Sequence, residues 1–232
     1  MTSLELTWLG HASFRFDTPA GKRIYVDPFL HGNPKCPASE VEPERADLIA
    51  ITHGHGDHVG DTIAIANKFE CPVVAPLELR GWLTGQGLPD DMTQGPNKGG
   101  TVEFAGVRIT VTDANHSSSG ESGEYLGEPA GLVVRIPEAP TLYFAGDTNV
   151  FASMSLIQRL YAPDVAILPI GDFFTMGPEE AGVALELLGS KRCVPCHYGT
   201  FPVLVGTPEQ LREHAPSGVE ILTLEPGETI SL

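Results

Sequence analysis

Short apolar runs in this chain repeatedly break off at a histidine or an aspartate: His11, Asp27, His53, His116, Asp147, Asp172 and His197 each stand just after one. Runs of this length, rich in Val, Ile and Leu, read as buried strands. In an α/β sheet, groups standing at strand ends converge on one crevice. A chain punctuated in this way is constrained to sheets whose ends bring these side chains together, whereas histidines scattered over a surface would show no such pattern.

The densest point is Thr52-His53-Gly54-His55-Gly56-Asp57-His58, which places three imidazoles and a carboxylate directly after Leu48-Ile49-Ala50-Ile51. Imidazole together with carboxylate suits zinc, manganese or iron. If Leu48 to Thr52 is a strand, its extended continuation sends His53 and His55 to one side. Asp57 and His58 then open a helix, with Val59, Ile63, Ala66 and Phe69 at helical spacing. Two ligands leave a strand end and two leave a helix start, a split that can serve two neighbouring ions. Histidines at i and i+4 of one helix would serve a single ion.

Composition narrows the function classes. The chain has 232 residues, with 30 acidic against 14 basic side chains and a formal charge of −16. Phosphates would be repelled at long range, so no nucleic-acid partner is expected. No run of about 18 apolar residues points to a membrane span. The start, a strand-like Leu4 to Trp8, has no basic and apolar leader, so a cytoplasmic location is expected. Cys36, Cys71, Cys193 and Cys196 are then expected to be reduced thiols. Cys193-Val194-Pro195-Cys196-His197 formally fits a c-type haem attachment or a redox or zinc CxxC. Haem attachment needs export and a zinc knuckle needs a second pair, so two small buried strand residues are the better reading.

In chain order, strands are expected over Leu4 to Leu9, Ser13 to Phe16 and Arg23 to Val26, with an irregular loop from Leu30 to Arg45. After the motif, a helix runs to about Phe69, Val73 to Ala75 is a short strand, Pro76 to Trp82 is helical, and Gly85 to Gly100 is loop. The second half repeats this grammar. A hairpin (Thr101 to Phe104 and Val107 to Thr112) is followed by a long polar loop from Ser117 to Pro129. Strands follow at Leu132 to Ile136, Thr141 to Ala145, Val165 to Pro169, Cys193 to Cys196 and Glu220 to Leu224. Helices are expected over Ala152 to Tyr161, from Pro178 to Gly189, and after the Thr207 N-cap. Two similar strand-rich halves with helices, and no linker between them, read as one α/β domain over 1–232 with two sheets face to face and helices outside. His31 and His214 are expected on an exposed loop and an exposed helix.

Trp8-Leu9-Gly10-His11, Asp27-Pro28-Phe29, Tyr125-Leu126-Gly127-Glu128-Pro129-Ala130-Gly131, Ala145-Gly146-Asp147-Thr148 and Pro169-Ile170-Gly171-Asp172-Phe173-Phe174-Thr175-Met176-Gly177 accompany the HxHxDH element. With them the chain resembles the metallo-β-lactamase superfamily, in a branch of metal-dependent hydrolases akin to the ascorbate-6-phosphate lactonase family. The resemblance implies a four-layer αββα sandwich of mixed sheets with a two-metal site at one edge. It implies that His53, His55 and His116 hold one ion, that Asp57, His58 and His197 hold the other, and that Asp147 bridges them. Zinc is the first expectation, with manganese or iron as alternatives. The phenyl of Phe173 stands where relatives often carry a polar amide, so one polar substrate contact is replaced.

Two divalent ions about 3.5–4 Å apart lower the pKa of a water between them toward neutrality. The expected activity is hydrolysis, by a bridging hydroxide, of an ester-like bond (lactone, phosphodiester or amide) in a small molecule. Asp57 is expected to orient the hydroxide and carry a proton to the leaving group, and His11 to face the site as an acid or a donor to a substrate oxygen. Metal-bound imidazoles need an acceptor on the other nitrogen, for which Asp27 and Asp172 are the candidates. Ser117 and Ser118, on the loop that leaves His116, and Thr175 and Met176 are expected against substrate. The competing readings are a metal-binding protein that recognises a ligand without turnover and a di-iron redox protein. A homo-oligomer is compatible with all three.

Overall fold

The computed structural model describes residues 3–232. The first half runs β1 (Glu5–Trp8), β2 (Phe14–Asp17), β3 (Arg23–Val26), β4 (Leu48–Ala50), α1 (Gly56–Val59), α2 (Thr62–Phe69), β5 (Val73–Val74), α3 (Leu77–Gly85) and β6 (Thr93–Gln94). The second half runs β7 (Thr101–Phe104), β8 (Val107–Asp113), β9 (Ala130–Arg135), β10 (Leu142–Phe144), α4 (Met154–Tyr161), β11 (Val165–Pro169), α5 (Pro178–Leu188), β12 (Arg192–Cys196), α6 (Pro208–His214), β13 (Glu220–Ile221) and β14 (Thr229–Ser231).

The strands form two seven-stranded mixed sheets, ordered β14-β1-β2-β3-β4-β5-β6 and β13-β12-β11-β10-β9-β8-β7. Each sheet begins as an antiparallel meander and continues with parallel strands, joined through helices except for β3 and β4, which an irregular loop connects. Period-two alternation divides the apolar side chains between layers. Leu48 and Ala50 of β4 face the space between the sheets, where Leu132, Ile167 and Val194 meet them from the other sheet. Ile49 and Ile51 face outward with Ile65 of α2 and Leu79 of α3. On the far side, Ala166 and Leu168 pack with Ile157 of α4, Leu185 of α5 and Leu211 of α6. The architecture is a four-layer αββα sandwich. Among the described residues, no helix is long and apolar enough to cross a membrane.

Several elements differ from the sequence expectation. The helix expected to run unbroken to Phe69 is two helices, because Gly60 adopts φ +41° where a Cβ would lie 2.4 Å from the Pro28 carbonyl. The chain must swerve there to clear the loop after β3. The stretch read as loop from Gly85 to Gly100 contains β6, too short to show a periodicity. The last residues were assigned no element, yet β14 returns to the first sheet and pairs with β1, Leu6 opposite Ile230. This strand locks the C-terminus of the second half onto the first.

All four cysteines are free. Cys193 and Cys196 are buried on opposite faces of β12, in the outer and the inter-sheet core respectively. Burial drives both thiols upward, away from the reactive thiolate form.

Candidate metal centre

The strand ends turn sharply. His11, Asp27 and His197, just beyond β1, β3 and β12, have φ values of 55°, 47° and 53°. Non-glycine residues seldom adopt this left-handed region, and clusters of them mark functional sites. The turns are pinned together, since the His11 carbonyl accepts from both Trp8 Nε1 and the His197 amide at 2.9 Å. Gly146 brings Asp147 in from β10 in the same way, with φ +64° and no room for a Cβ, which would lie 2.6 Å from the Ala130 carbonyl.

The central motif straddles β4 and α1, with His55 as the N-cap residue of α1. Its shape is imposed from outside by residues 117–131, a small hairpin with a bridge between Ser119 and Tyr125. Leu126 packs onto Gly54 so closely that a Cβ there would meet it at 2.7 Å. The Gly54 amide donates to Ser118 Oγ at 3.0 Å. The glycine between His53 and His55 is thus required by what presses on the motif.

Donor atoms converge in three overlapping groups, each within 4.8 Å: His53, His55 and His116; His53, His58 and Asp147; and His11, Asp57, His58 and His197. The Asp147 carboxylate is central. Its Oδ2 lies 3.0 Å from His197 Nε2, 3.4 Å from His58 Nε2 and 3.6 Å from His116 Nε2. His53 Nε2 and His55 Nδ1 are 2.9 Å apart. His58 Nε2 and Asp147 Oδ1 are buried without a hydrogen-bond partner. Buried polar atoms are normally paired, so orphaned donors aimed at one another fit bound divalent cations.

The electrostatics follow from burial and from Asp147. Burial first, then the neighbouring His58, holds His53 far below the usual imidazole range. His58 goes the other way, because Asp147 and Asp27 outweigh its burial. Burial would raise Asp147, but His197 and His58 prevail and keep it ionised. His53 is thus held neutral and Asp147 ionised, the states metal ligands need, whereas the two carboxylates favour a proton on His58 that a bound cation would displace.

The structure separates the other expected residues. Asp27 Oδ2 is 2.7 Å from His58 Nδ1, and the same carboxylate accepts from the Thr52 amide and hydroxyl at 2.8 and 2.6 Å. Asp172 does not do this. It is exposed, and no histidine among the described residues is hydrogen-bonded to it, although it shares the left-handed backbone of Asp27. His197 Nδ1 has no hydrogen-bond partner. Ser117 Oγ lies 3.3 Å from His55 Nε2, whereas Ser118 is a buried brace. Thr175 is half-buried, and Met176 is fully buried in the outer core, so it lines no pocket open to substrate.

His11 is fully buried, with Nε2 3.0 Å from Asp57 Oδ2 and Nδ1 3.0 Å from Thr200 Oγ1. Sequence reasoning missed Thr200 and Thr52. Thr52 sits inside the motif and was legible as a neighbour, while Thr200 is an unmarked threonine in the loop after β12.

Residues 22–198 match the family model of the β-lactamase superfamily domain. The chain belongs to the metallo-β-lactamase superfamily. Within it, the chain is 48% identical over 235 residues to a UPF0173 metal-dependent hydrolase of Herpetosiphon aurantiacus, covering 98% of each chain. It is also similar to Igni18, a metallo hydrolase of Ignicoccus hospitalis, at 34% identity and TM-score 0.89 over 100% of this chain and 99% of that one. CmlA, a diiron β-hydroxylase from Streptomyces venezuelae, shares the superfamily fold at TM-score 0.78 and 17% identity, covering 100% of this chain and 55% of that one.

Proposed function

We propose that this protein, a metal-dependent hydrolase, cleaves an ester-like bond of a small molecule with two divalent ions. His53, His55 and His116 would hold one, Asp57, His58 and His197 the other, and Asp147 both. The observation that carries this reading is the single Asp147 carboxylate facing imidazoles from three separate elements, with one oxygen left unpaired in the interior. Such ions supply Lewis acidity and a hydroxide nucleophile near neutral pH.

The chain's own groups do the rest. Burial holds His11 neutral down to about 4. Asp57 is raised by burial, but the hydrogen bond from His11 and the charge of His58 outweigh this and keep it a carboxylate. A neutral imidazole cannot satisfy a carboxylate except by donating, so His11 Nε2–H fixes the orientation of Asp57. So oriented, Asp57 would both hold an ion and relay a proton from the reacting centre to a leaving group. Asp27 fixes the His58 ring through Nδ1 in the same manner.

The test is metal analysis together with a panel of lactone, phosphodiester and amide substrates. Wild type is expected to carry two ions per chain and to turn over at least one class. Asp147→Ala is expected to lose metal and activity together. Retention of both ions in that variant refutes the ligand assignment, and a fully metallated wild type inert on every class refutes hydrolysis in favour of ligand recognition.

A further inference from the structure

Two loops beside the centre carry apolar side chains into solvent. Residues 171–177 follow β11 and residues 197–206 follow β12. They are joined where the Gly206 amide donates to the Gly171 carbonyl, and where Gly171 lies so close to the His197 carbonyl that a Cβ would be 2.1 Å away. On them Phe173 is 69% exposed, Phe174 52%, Phe201 36%, Val203 41% and Val205 62%. Half of the exposed large apolar side chains among the described residues fall here. Phe201 lies edge-on to the His11 ring, centroids 5.4 Å apart, so this side chain reaches the centre itself. Phe173 and Phe174 form a T-shaped pair at 4.8 Å.

The backbone holds Phe173 out at a cost. Asp172 and Phe173 are consecutive left-handed residues, φ 64° and 51°, and an aromatic residue rarely takes that conformation. Strain of this kind persists where function uses it. The charge pattern identifies what the patch takes. Segments 10–13, 53–58, 115–131, 145–150, 171–177 and 197–206 contain no Lys or Arg, in a chain whose formal charge is −16, whereas the loop after β3, which brings Asp27 to His58, carries Lys35 against Gly10. No Lys or Arg stands in those segments to pair with a phosphate or carboxylate carried by a substrate away from the scissile bond.

We infer that Phe173, Phe174, Phe201, Val203 and Val205 form the binding rim for an apolar acyl or aryl group, and that the substrate is a neutral ester or lactone bearing such a group. This rests on the hydrolase reading above. A chain seated on the rim gains its transfer free energy, roughly three- to fourfold in kcat/KM per buried methylene.

The experiment compares p-nitrophenyl acetate, butyrate and octanoate, and neutral against phosphate-bearing lactones, on the metal-loaded protein. Wild type is expected to climb with chain length by that factor and to prefer the neutral lactone. Phe201→Ser and the double variant Phe173→Ser/Phe174→Ser are expected to flatten the length dependence to within about twofold. A flat wild-type profile, a preference for the phosphate-bearing lactone, or variants that keep the full slope overturns the rim. If the double variant keeps the slope but converts a wild-type oligomer to monomer by light scattering, the face belongs to a second copy and the rim is overturned. If no ester, lactone, phosphodiester or amide is cleaved, the hydrolase reading fails separately. Binding of octanoate against acetate by calorimetry then still decides the rim, which stands if octanoate binds at least tenfold tighter in wild type and not in Phe201→Ser, and falls otherwise.

Discussion

His11 shows how a buried side chain can be assigned a role from its two neighbours. Its burial keeps it neutral down to about 4, so only one ring nitrogen carries hydrogen. Asp57 can only accept, which places that hydrogen on Nε2 and leaves Nδ1 to accept from the Thr200 hydroxyl. Thr200→Val strands a buried acceptor and is expected to cost about 1–3 kcal/mol in urea unfolding, while Thr200→Ser stays near wild type. Equal stabilities for the two variants would remove Thr200 from this relay. The lowered His11 value also predicts a pH effect. The folded state disfavours the charged ring, so this contribution is fully present above about pH 6.5 and is lost as pH falls toward about 4. Between about pH 7 and about pH 5 the metal-free protein should lose about 2 kcal/mol on this account. His11→Gln should flatten that part of the profile, and parallel wild-type and variant profiles would contradict it.

At the scale of elements, the ligand loop is shaped by a neighbour distant in sequence. Gly54 fits under Leu126, where a Cβ would approach to 2.7 Å. Gly54→Ala should therefore lower stability by more than about 1 kcal/mol and weaken metal binding, and the cost should shrink in a Leu126→Ala background. A purely additive double-mutant cycle, read by denaturant melts and metal titration, would show that the contact is not the cause. The same scale explains what could and could not be read in advance. His53, His55, Asp57 and His58 were legible because four donors crowd one strand–helix junction. The break at Gly60 was not, since it answers to the Pro28 carbonyl. Asp172 carried the same strand-end signature as Asp27 and the same left-handed backbone, but it stands in solvent while Asp27 is buried against His58. Met176 lay in a motif beside the site, yet its backbone amide bonds to the Thr148 carbonyl and its side chain is drawn into the outer core.

For the whole molecule, the centre ties both sheets together: His53, His55, Asp57 and His58 come from the first half, and His116, Asp147 and His197 from the second. Ions bound there bind only the folded chain. Chelation is expected to lower Tm by roughly 5–10 °C, which metal restores. An unchanged Tm after verified metal loss would show that the donors are held apart without ions. The sequence alone determined the sandwich and the histidines and aspartates that crowd at its strand ends. Those are consequences of period-two burial and of polar residues placed at strand ends, and both are local. Only the tertiary structure decided that Asp27 and not Asp172 bonds His58, that Thr200 meets His11, that β14 closes the first sheet, and that apolar side chains stand exposed on the loops after β11 and β12. Each of these depends on a contact between segments far apart in the chain, where backbone conformation and steric fit, rather than residue type, choose the partner.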